Sequence, residues 1–267
     1  MRRMIRYIAR NLFVFNALNR PIVPFRVNLL YYKDVHNVGD VISLVLFDYL
    51  LKYKNIGKWS FKTKRLALVG SVLQFIGAKT IVFGSGFLDE RSIDVFSRKR
   101  PKLIVRAVRG PLTRNALIKL GYDVPEIYGD PAILMPVFYR PHHAYKRYEY
   151  VIIPHYSKLD KYKGYDNVVS TMTKDWRAFI DTICSSSYVI SSSLHGIILA
   201  EAYGVPAIFL NDTESGSIFK YKDYYSSTGR ETFLVADSIE DALNKREKVK
   251  VPDLTSLQQR LLSEFRI

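Results

Sequence analysis

The sequence predicts an α/β protein with parallel sheets, and three observations support this: its segment pattern, its length and its composition. Short apolar, β-branched runs alternate with longer stretches of helical periodicity, which is the pattern of strands joined by crossover helices. The chain has 267 residues, of which 48% are hydrophobic and 13% aromatic, so it can bury a large core. This composition excludes a disordered, collagen-like or coiled-coil chain.

Eight apolar runs are predicted to be strands, and four stretches between them are predicted to be helices. The strands cover residues 27–32, 66–69, 80–83, 103–108, 150–154, 168–171, 188–190 and 207–210. The helices cover residues 40–54, 111–120, 176–185 and 195–203. A further helix is predicted over residues 254–265, because Leu257, Leu261 and Phe265 recur at a spacing of four residues.

The strand–helix alternation is interrupted near residues 136–148, where Pro136 and Pro141 flank the start of a basic and aromatic stretch. We therefore expect two Rossmann-like lobes that face a cleft. The N-terminal lobe is predicted to cover residues 25–140, after a basic segment over residues 1–24. The C-terminal lobe is predicted to cover residues 141–267 and to include the C-terminal helix.

The charge balance of the chain predicts an acidic partner. There are 40 lysines and arginines against 25 aspartates and glutamates, which gives a formal net charge of +15 at pH 7. The one cysteine, Cys184, excludes an internal disulfide and a zinc site of four cysteines, so a reducing, cytoplasmic location is expected. No Asp-x-Asp pair and no His-Glu-x-x-His motif occurs, and we predict no metal site.

The first 24 residues have the pattern of a basic amphipathic helix. One side carries Met1, Met4, Ile5, Ile8, Leu12 and Phe15, and the opposite side carries Arg2, Arg3, Arg6 and Arg10. Two interpretations stay open: an in-plane anchor on an anionic cytoplasmic membrane surface, or a helix docked on its own domain. No apolar run near the start approaches the ~20 residues that a transmembrane helix needs, and no signal peptide is expected.

Ligands of open parallel sheets bind beyond the carboxyl ends of the strands, so the strand-to-helix junctions are the places to search for a site. Four junctions have an unusual polar content: residues 36–40, 108–113, 128–131 and 191–196.

The junction at residues 191–196 is the most informative of the four. A buried strand runs into three serines and then into an apolar helix, whose free backbone N–H groups can bind phosphate or carboxylate. His195 falls in the first helical turn, where the helix dipole favours a neutral imidazole and hence a base. Gly196 is expected to keep the neighbouring surface open. The alternative is ordinary helix capping, with the histidine hydrogen-bonded to backbone.

The other junctions offer weaker candidates. Arg109 follows a strand and can bind a carboxylate or phosphate through its planar guanidinium, although pairing with an acid is the commoner fate of an arginine. Asp40, next to Gly39 at the start of a helix, can cap it or bind sugar hydroxyls. Asp130 can equally form a turn or act as a ligand.

Taken together, these motifs resemble the polysaccharide pyruvyl transferase family. The resemblance rests on Asn37-x-Gly-Asp, Arg109-Gly-x-x-Thr, Gly129-Asp-Pro and above all the block Ser191-Ser-Ser-Leu-His-Gly, and it extends to Lys220. It implies two lobes arranged as in GT-B glycosyltransferases, phosphoenolpyruvate as the donor and co-substrate, and no metal or other cofactor. It also implies a pair of glycan hydroxyls as the acceptor.

Roles are carried over residue by residue from this resemblance. His195 is the implied catalytic acid or base. The implied donor-binding residues are Arg109, Ser192, Ser193, Leu194, Gly196 and Lys220. The implied acceptor-binding residues are Asn37, Asp40 and Asp130.

The expected function is therefore transfer of a pyruvyl group from phosphoenolpyruvate to sugar hydroxyls of a glycan or lipid-linked oligosaccharide, which forms a ketal. The expected location is cytoplasmic, with peripheral contact at the inner membrane face if the N-terminal anchor exists. A nucleotide-sugar glycosyltransferase of the same architecture is the alternative enzyme. A non-catalytic nucleic-acid or membrane binder is a third class, but no nucleic-acid partner is expected, because the motifs gather at strand ends.

The anchor interpretation is tested by replacing Arg2, Arg3, Arg6 and Arg10 together with glutamine. We expect the variant to be released from vesicles that contain anionic lipid, because each arginine near such a surface contributes about 1 kcal/mol of attraction. Vesicle co-sedimentation measures the release, and activity on a soluble acceptor should not change. Unaltered vesicle binding would exclude the anchor.

Overall fold

A computed structural model of the chain describes residues 27–32, 37–57, 64–77, 79–141, 145–212 and 218–267. The basic amphipathic segment over residues 1–24 and His36 lie outside the described residues. The two interpretations of that segment therefore stay predictions. No helix within the described ranges is both long enough and apolar enough to cross a bilayer.

The first half of the chain forms a four-stranded parallel sheet in the order β1-β2-β3-β4. Its strands are β1 (Val27–Leu30), β2 (Lys64–Ala67), β3 (Thr80–Phe83) and β4 (Leu103–Ala107). Its helices are α1 (Val38–Tyr53), α2 (Glu90–Ser97) and α3 (Pro111–Lys119), and 3₁₀ turns form at Leu73–Phe75 and Pro131–Leu134. The short helix α4 (Met135–Phe138) follows the second of these turns.

The second half repeats this plan with a parallel sheet in the order β5-β6-β7-β8. Its strands are β5 (Val151–Ile153), β6 (Val189–Ser191), β7 (Ala207–Leu210) and β8 (Val235–Ala236). Its helices are α5 (Trp176–Cys184), α6 (Leu194–Ala202), α7 (Phe219–Ser227) and α8 (Ile239–Asn244), with 3₁₀ turns at Tyr156–Tyr162 and Arg246–Lys248. The chain then forms α9 (Thr255–Glu264). Two parallel sheets of this kind fit the expected Rossmann-like lobes.

The predicted strands and helices are confirmed to within two residues at each end, apart from the strand at residues 168–171. That prediction is wrong: Val168 forms only an isolated bridge with Ile152. The backbone N–H of Val169 donates to the carbonyl of Ile152 in β5 at 2.8 Å, and the carbonyl of Thr171 accepts the backbone N–H of Val38 at 2.7 Å. The segment therefore leaves β5 after one bridge and is then bonded to the start of α1. Sequence reasoning missed α2, α4, α7, α8 and β8, which are short or carry many polar residues.

The two sheets share one hydrophobic core. Buried side chains of the first sheet, such as Leu29 and Phe83, belong to the same continuous cluster as Val189 and Phe209 of the second sheet. Helices α1, α5 and α6 contribute to this cluster, and α1 packs against α5. The two lobes are therefore joined by apolar packing.

Helix α9 crosses back onto the first lobe. The ring of Phe265 packs edge-on against Phe83 of β3, with 5.1 Å between the ring centroids. The side-chain amide of Gln258 donates a hydrogen bond to the carbonyl of Ile133 at 2.8 Å. The sequence predicts this helix as part of the C-terminal lobe, and these contacts join it to residues of the first lobe. The apolar spacing of a helix fixes which face is buried, but it does not fix the partner of that face.

Candidate active site

A cavity of about 930 Å³ opens between the lobes. Its walls come from segments that follow strands of both sheets: residues 32, 37, 39 and 40 after β1, 69–72, 74 and 75 after β2, 88 and 89 after β3, 155–158 after β5, 193–195 after β6, and 220 and 221 after β7. The cavity thus lies at the carboxyl ends of the strands, where an open parallel sheet binds its ligands.

His195 lies in the first turn of α6 and lines this cavity. Its side chain is only 16% exposed, and its Nε2 atom lies 3.9 Å from the carboxylate of Asp130, which is too far for a hydrogen bond. No described residue forms a hydrogen bond with Nε2. Burial lowers the pKa of His195, and the charges of Lys220 and Arg109 lower it further, while Asp130 opposes the shift. The imidazole is therefore neutral at pH 7 and can act as a base.

Gly39 is the neighbour that fixes the other side of the imidazole. A Cβ atom on Gly39 would lie 2.2 Å from Nδ1 of His195, closer than any real contact allows. The missing side chain of Gly39 therefore lets the backbone of α1 approach the histidine ring closely. Since Gly39 belongs to α1 and His195 to α6, the two lobes meet at the imidazole.

Asp130 is fully buried and does not line the cavity. One carboxylate oxygen accepts the backbone N–H of Ala132 at 3.0 Å, and the other accepts that of Gly70 at 3.4 Å. The resemblance implied that Asp130 binds the acceptor sugar. In the structure, its carboxylate is buried behind the cavity wall, out of reach of a ligand in the cavity. The carboxylate lies behind His195 and faces Nε2.

The serines before α6 divide into two groups. Ser193, which is the N-cap residue, and Leu194 line the cavity, and the Ser193 side chain makes no capping hydrogen bond. Ser191 and Ser192 are buried behind the lining: the Ser191 hydroxyl accepts the backbone N–H of Ser193 at 3.0 Å, and the Ser192 hydroxyl accepts that of His155 at 2.9 Å. Of the predicted donor-binding serines, only Ser193 reaches the cavity.

Gly196 does not keep the surface open, contrary to the sequence-based expectation. A Cβ atom there would lie 2.4 Å from the hydroxyl oxygen of Ser191 and 2.9 Å from a methyl carbon of Ile153. The glycine instead lets α6 pack closely against the end of β5. The side of α6 that carries Gly196 is therefore not accessible to the phosphoenolpyruvate expected as donor substrate.

Lys220 lies at the start of α7 and lines the cavity. Burial lowers its pKa to about 8, the charge of Arg109 adds to this effect, and Asp89 opposes it. Its ammonium lies 5.0 Å from the ring centroid of Tyr221, and no carboxylate of the described residues forms an ion pair with it. A cation held in this way has capacity for an anionic ligand.

Arg109 is fully buried and is paired with Asp223 of α7. Its Nε donates to one carboxylate oxygen at 3.0 Å, while Nη1 donates to the hydroxyl of Ser71 at 2.6 Å. The other oxygen of Asp223 accepts the backbone N–H of Thr113 at 2.9 Å. The guanidinium therefore lies behind the cavity wall and contacts the cavity lining only through Ser71. Of the two possibilities that the sequence left open for Arg109, ligand binding or pairing with an acid, the structure shows the pairing.

Asn37 and Asp40 both line the cavity on the N-terminal side. The side-chain oxygen of Asn37 caps α1 by accepting the backbone N–H of Gly39 at 3.0 Å. One oxygen of Asp40 accepts the backbone N–H of Tyr32 at 2.8 Å. Burial raises the pKa of Asp40 to about 7, although the Tyr32 N–H opposes the shift. This carboxyl group can exchange a proton near neutral pH.

Sequence reasoning missed three cavity segments: residues 69–72, 74 and 75 after β2, 88 and 89 after β3, and 155–158 after β5. All three lie at or beyond the ends of predicted strands, so the strand-end rule includes them, but none contains a recognised motif. The described residues contain no group of three or more histidine, cysteine, aspartate or glutamate side chains arranged to hold a metal ion.

A model of the polysaccharide pyruvyl transferase family matches residues 27–213. The chain belongs to this family. The matched range contains Arg109 and His195 together with most of the cavity wall, whereas Lys220 and Asp223 lie beyond it. The family assignment thus confirms the resemblance drawn from the strand-end motifs.

Two curated proteins are similar in sequence to this member of the family. The succinoglycan biosynthesis protein ExoV of Rhizobium meliloti (strain 1021) is 29% identical over 215 residues, which cover 74% of this chain and 64% of ExoV. An uncharacterized protein of Acanthamoeba polyphaga mimivirus is 31% identical over 179 residues, 61% of this chain and 60% of that protein. The chain therefore spans about three fifths of the length of these relatives.

One solved structure, of a functionally uncharacterized protein from Klebsiella pneumoniae subsp. pneumoniae NTUH-K2044, has a similar fold. The TM-score is 0.53, and the match covers 88% of this chain and 98% of that chain. The sequence identity is 14%, so the likeness concerns the fold alone.

The buried ion pair leads to a prediction about stability. Replacing Asp223 with asparagine should lower the free energy of unfolding by about 3–5 kcal/mol, because the buried Arg109 loses its counter-charge. The matched control is Glu126→Gln, which breaks the exposed pair with Arg114 at 3.4 Å and should cost less than about 1 kcal/mol. Urea denaturation measures both values. Equal, small losses would contradict a stabilising role for the buried pair.

Proposed function

We propose that the chain transfers a pyruvyl group from phosphoenolpyruvate to two hydroxyls of a sugar, with formation of a ketal and release of phosphate. Family membership supports the reaction class, and similarity to the succinoglycan biosynthesis protein ExoV supports a polysaccharide or its lipid-linked precursor as the acceptor. A GT-B-like arrangement of the two lobes around the cavity is part of this proposal.

The observation that carries the proposal is a neutral, buried histidine beside a cation in one cavity. His195 and Lys220 line the same space, together with the N-terminus of α6. The donor carries a phosphate and a carboxylate, which suit an ammonium group and free backbone N–H groups. The imidazole can then exchange protons with a substrate that those groups hold.

The reaction balances with protons alone. Two acceptor hydroxyls each lose a proton: one proton goes to the donor methylene carbon, which becomes a methyl group, and the other leaves with the phosphate. Two C–O bonds form at the central carbon of the donor, while its C=C π bond and its C–O bond to phosphate are lost. No redox step is involved, and proton transfer by positioned side chains suffices.

We assign the proton transfers to Nδ1 of His195. Nε2 is buried and faces Asp130. Nδ1 is on the side of the ring that packs against Gly39, a residue that also lines the cavity. The carboxylate of Asp130 favours the tautomer with the proton on Nε2 and stabilises the imidazolium that forms when Nδ1 takes a proton. In this proposal Asp130 is a positioning residue, and this role replaces the acceptor-binding role that the resemblance implied.

The acceptor sugar is assigned to the N-terminal wall of the cavity, where Asn37 and Asp40 are retained as acceptor-binding residues. Asp40 has a pKa of about 7, so at neutral pH it is present in both protonation states and can take the proton of a bound hydroxyl. The donor is assigned to Ser193, Leu194 and Lys220 on the opposite wall. Ser192 and Gly196 support this wall from behind.

In this proposal Arg109 does not touch the donor and acts on donor binding only through the residues that it holds in place. Its guanidinium is committed to Asp223, which lies on the same helix as Lys220, and to Ser71, which lines the cavity. It therefore fixes both the lysine helix and a cavity hydroxyl. We propose that Arg109 is a positioning residue.

His195 is the residue on which the mechanism depends. His195→Gln should lower kcat by about 10²–10⁴-fold, the usual effect of losing a positioned acid or base, while the affinity for phosphoenolpyruvate changes little. Phosphate release in the presence of phosphoenolpyruvate and a panel of synthetic or lipid-linked glycosides measures kcat, and calorimetric titration measures donor affinity. A folded variant with near-normal turnover would assign proton transfer to another group.

Gly39→Ala tests the contact between the lobes at the imidazole. The added methyl group would occupy the position 2.2 Å from Nδ1, so the ring must move, and displacement by about 1 Å is expected to reduce kcat about 100-fold. Gly57→Ala is the matched control, because a Cβ atom at that position meets no atom within 4 Å. Equal activity of the two variants would show that the ring position is not critical.

A further inference from the structure

His155 is a second histidine of the cavity, and sequence reasoning gave it no binding role. It follows β5 and lines the cavity with Lys158 and Lys220. Its backbone N–H donates to the hydroxyl of Ser192 at 2.9 Å, which ties it to the junction that carries His195. The residue is therefore held by the same segment that positions the catalytic histidine.

The hydrogen bonds of the His155 ring define its tautomer. Its Nδ1 atom caps the following 3₁₀ turn: the backbone N–H of Ser157 points at it from 3.4 Å, and the Ser157 hydroxyl lies at 2.8 Å. Because the backbone N–H can only donate, Nδ1 acts as the acceptor and the proton of the neutral ring lies on Nε2. No hydrogen bond joins Nε2 to another described residue, so this N–H is available to a ligand.

Charge and packing keep His155 a neutral donor in a fixed orientation. Burial lowers its pKa to about 4, with the charge of Lys220 adding to this effect and Asp212 opposing it. The ring also packs against Tyr156, with 4.4 Å between the centroids. At neutral pH the ring thus presents one N–H donor in a region whose positive potential comes from Lys220 and Lys158.

We propose that the Nε2–H of His155 donates a hydrogen bond to the phosphate group of the donor. This inference rests on the proposed function and assigns the phosphate end of the substrate to the wall formed by His155 and Lys220. A phosphate dianion suits this wall, because Lys158 and Lys220 supply positive charge. The neutral His155 ring adds a directional hydrogen-bond donor. The donor carboxylate is the competing ligand, and the test distinguishes it from the phosphate.

Two variants separate ligand binding from helix capping. His155→Gln can place an amide N–H near the position of Nε2, but it loses the acceptor that caps the turn. His155→Asn can keep an acceptor near the position of Nδ1, but it loses the distant N–H. Each variant and the wild type are titrated calorimetrically with inorganic phosphate, phosphoenolpyruvate and pyruvate, and each is checked for an unchanged fold by circular dichroism.

We expect His155→Asn to weaken binding of both inorganic phosphate and phosphoenolpyruvate by about tenfold or more, the usual effect of losing a hydrogen bond to a charged group. Pyruvate, which has no phosphate, should bind as it does to the wild type. His155→Gln should stay within about threefold of the wild type for all three ligands.

The opposite order, with His155→Gln weakened and His155→Asn normal, would show that His155 only caps the turn and would overturn the inference. A loss confined to pyruvate and phosphoenolpyruvate would overturn it in favour of the carboxylate. If the wild type binds inorganic phosphate through His155 but does not bind phosphoenolpyruvate, the phosphate subsite stands and the proposed function fails. Equal phosphate binding by all three proteins overturns the subsite and leaves the proposed function standing.

Discussion

The buried ion pair between Arg109 and Asp223 is the interaction on which the geometry of the site depends. It joins the end of β4 to α7, and α7 carries Lys220 into the cavity. The contact is tight, since a Cβ atom on Gly110 would lie 1.8 Å from the carbonyl oxygen of Asp223. Two charges removed from water require well-placed partners, and Thr113 and Ser71 supply them. The position of Lys220 in the cavity is thus set by a polar contact between the lobes.

The imidazole of His195 is confined in a similar way by elements from both halves of the chain. Gly39 limits it on one side, and the carboxylate of Asp130 faces it on the other. Burial lowers the pKa of the ring and keeps it neutral, while the charge of Asp130 opposes this shift. A side chain held between two lobes responds to their relative position, so the proton transfer proposed for His195 would depend on how the lobes pack.

Much of this could be predicted from the sequence, for identifiable reasons. The strands, and the position of His195 at a strand end that lines the cavity, were predictable because apolar runs and the residues directly after them are local in sequence. The position of Arg109 was not, because its partner Asp223 lies 114 residues further along the chain, in a helix of tyrosines and lysines that has no apolar stripe. The closed surface at Gly196 and the burial of Asp130 likewise depend on tertiary neighbours. Local pattern identified the strand ends, and long-range packing decided which side chains reach the cavity.

The return of α9 to the first lobe has a consequence for how the protein is made. Phe265 packs on Phe83, and Leu261 packs against Gly129, so the first lobe is covered by residues that leave the ribosome long after its own strands. During synthesis, that lobe exposes an apolar surface until the second lobe and α9 have emerged. Folding of the nascent chain therefore cannot finish one lobe at a time, and the interval before α9 arrives is when binding by a chaperone would matter most.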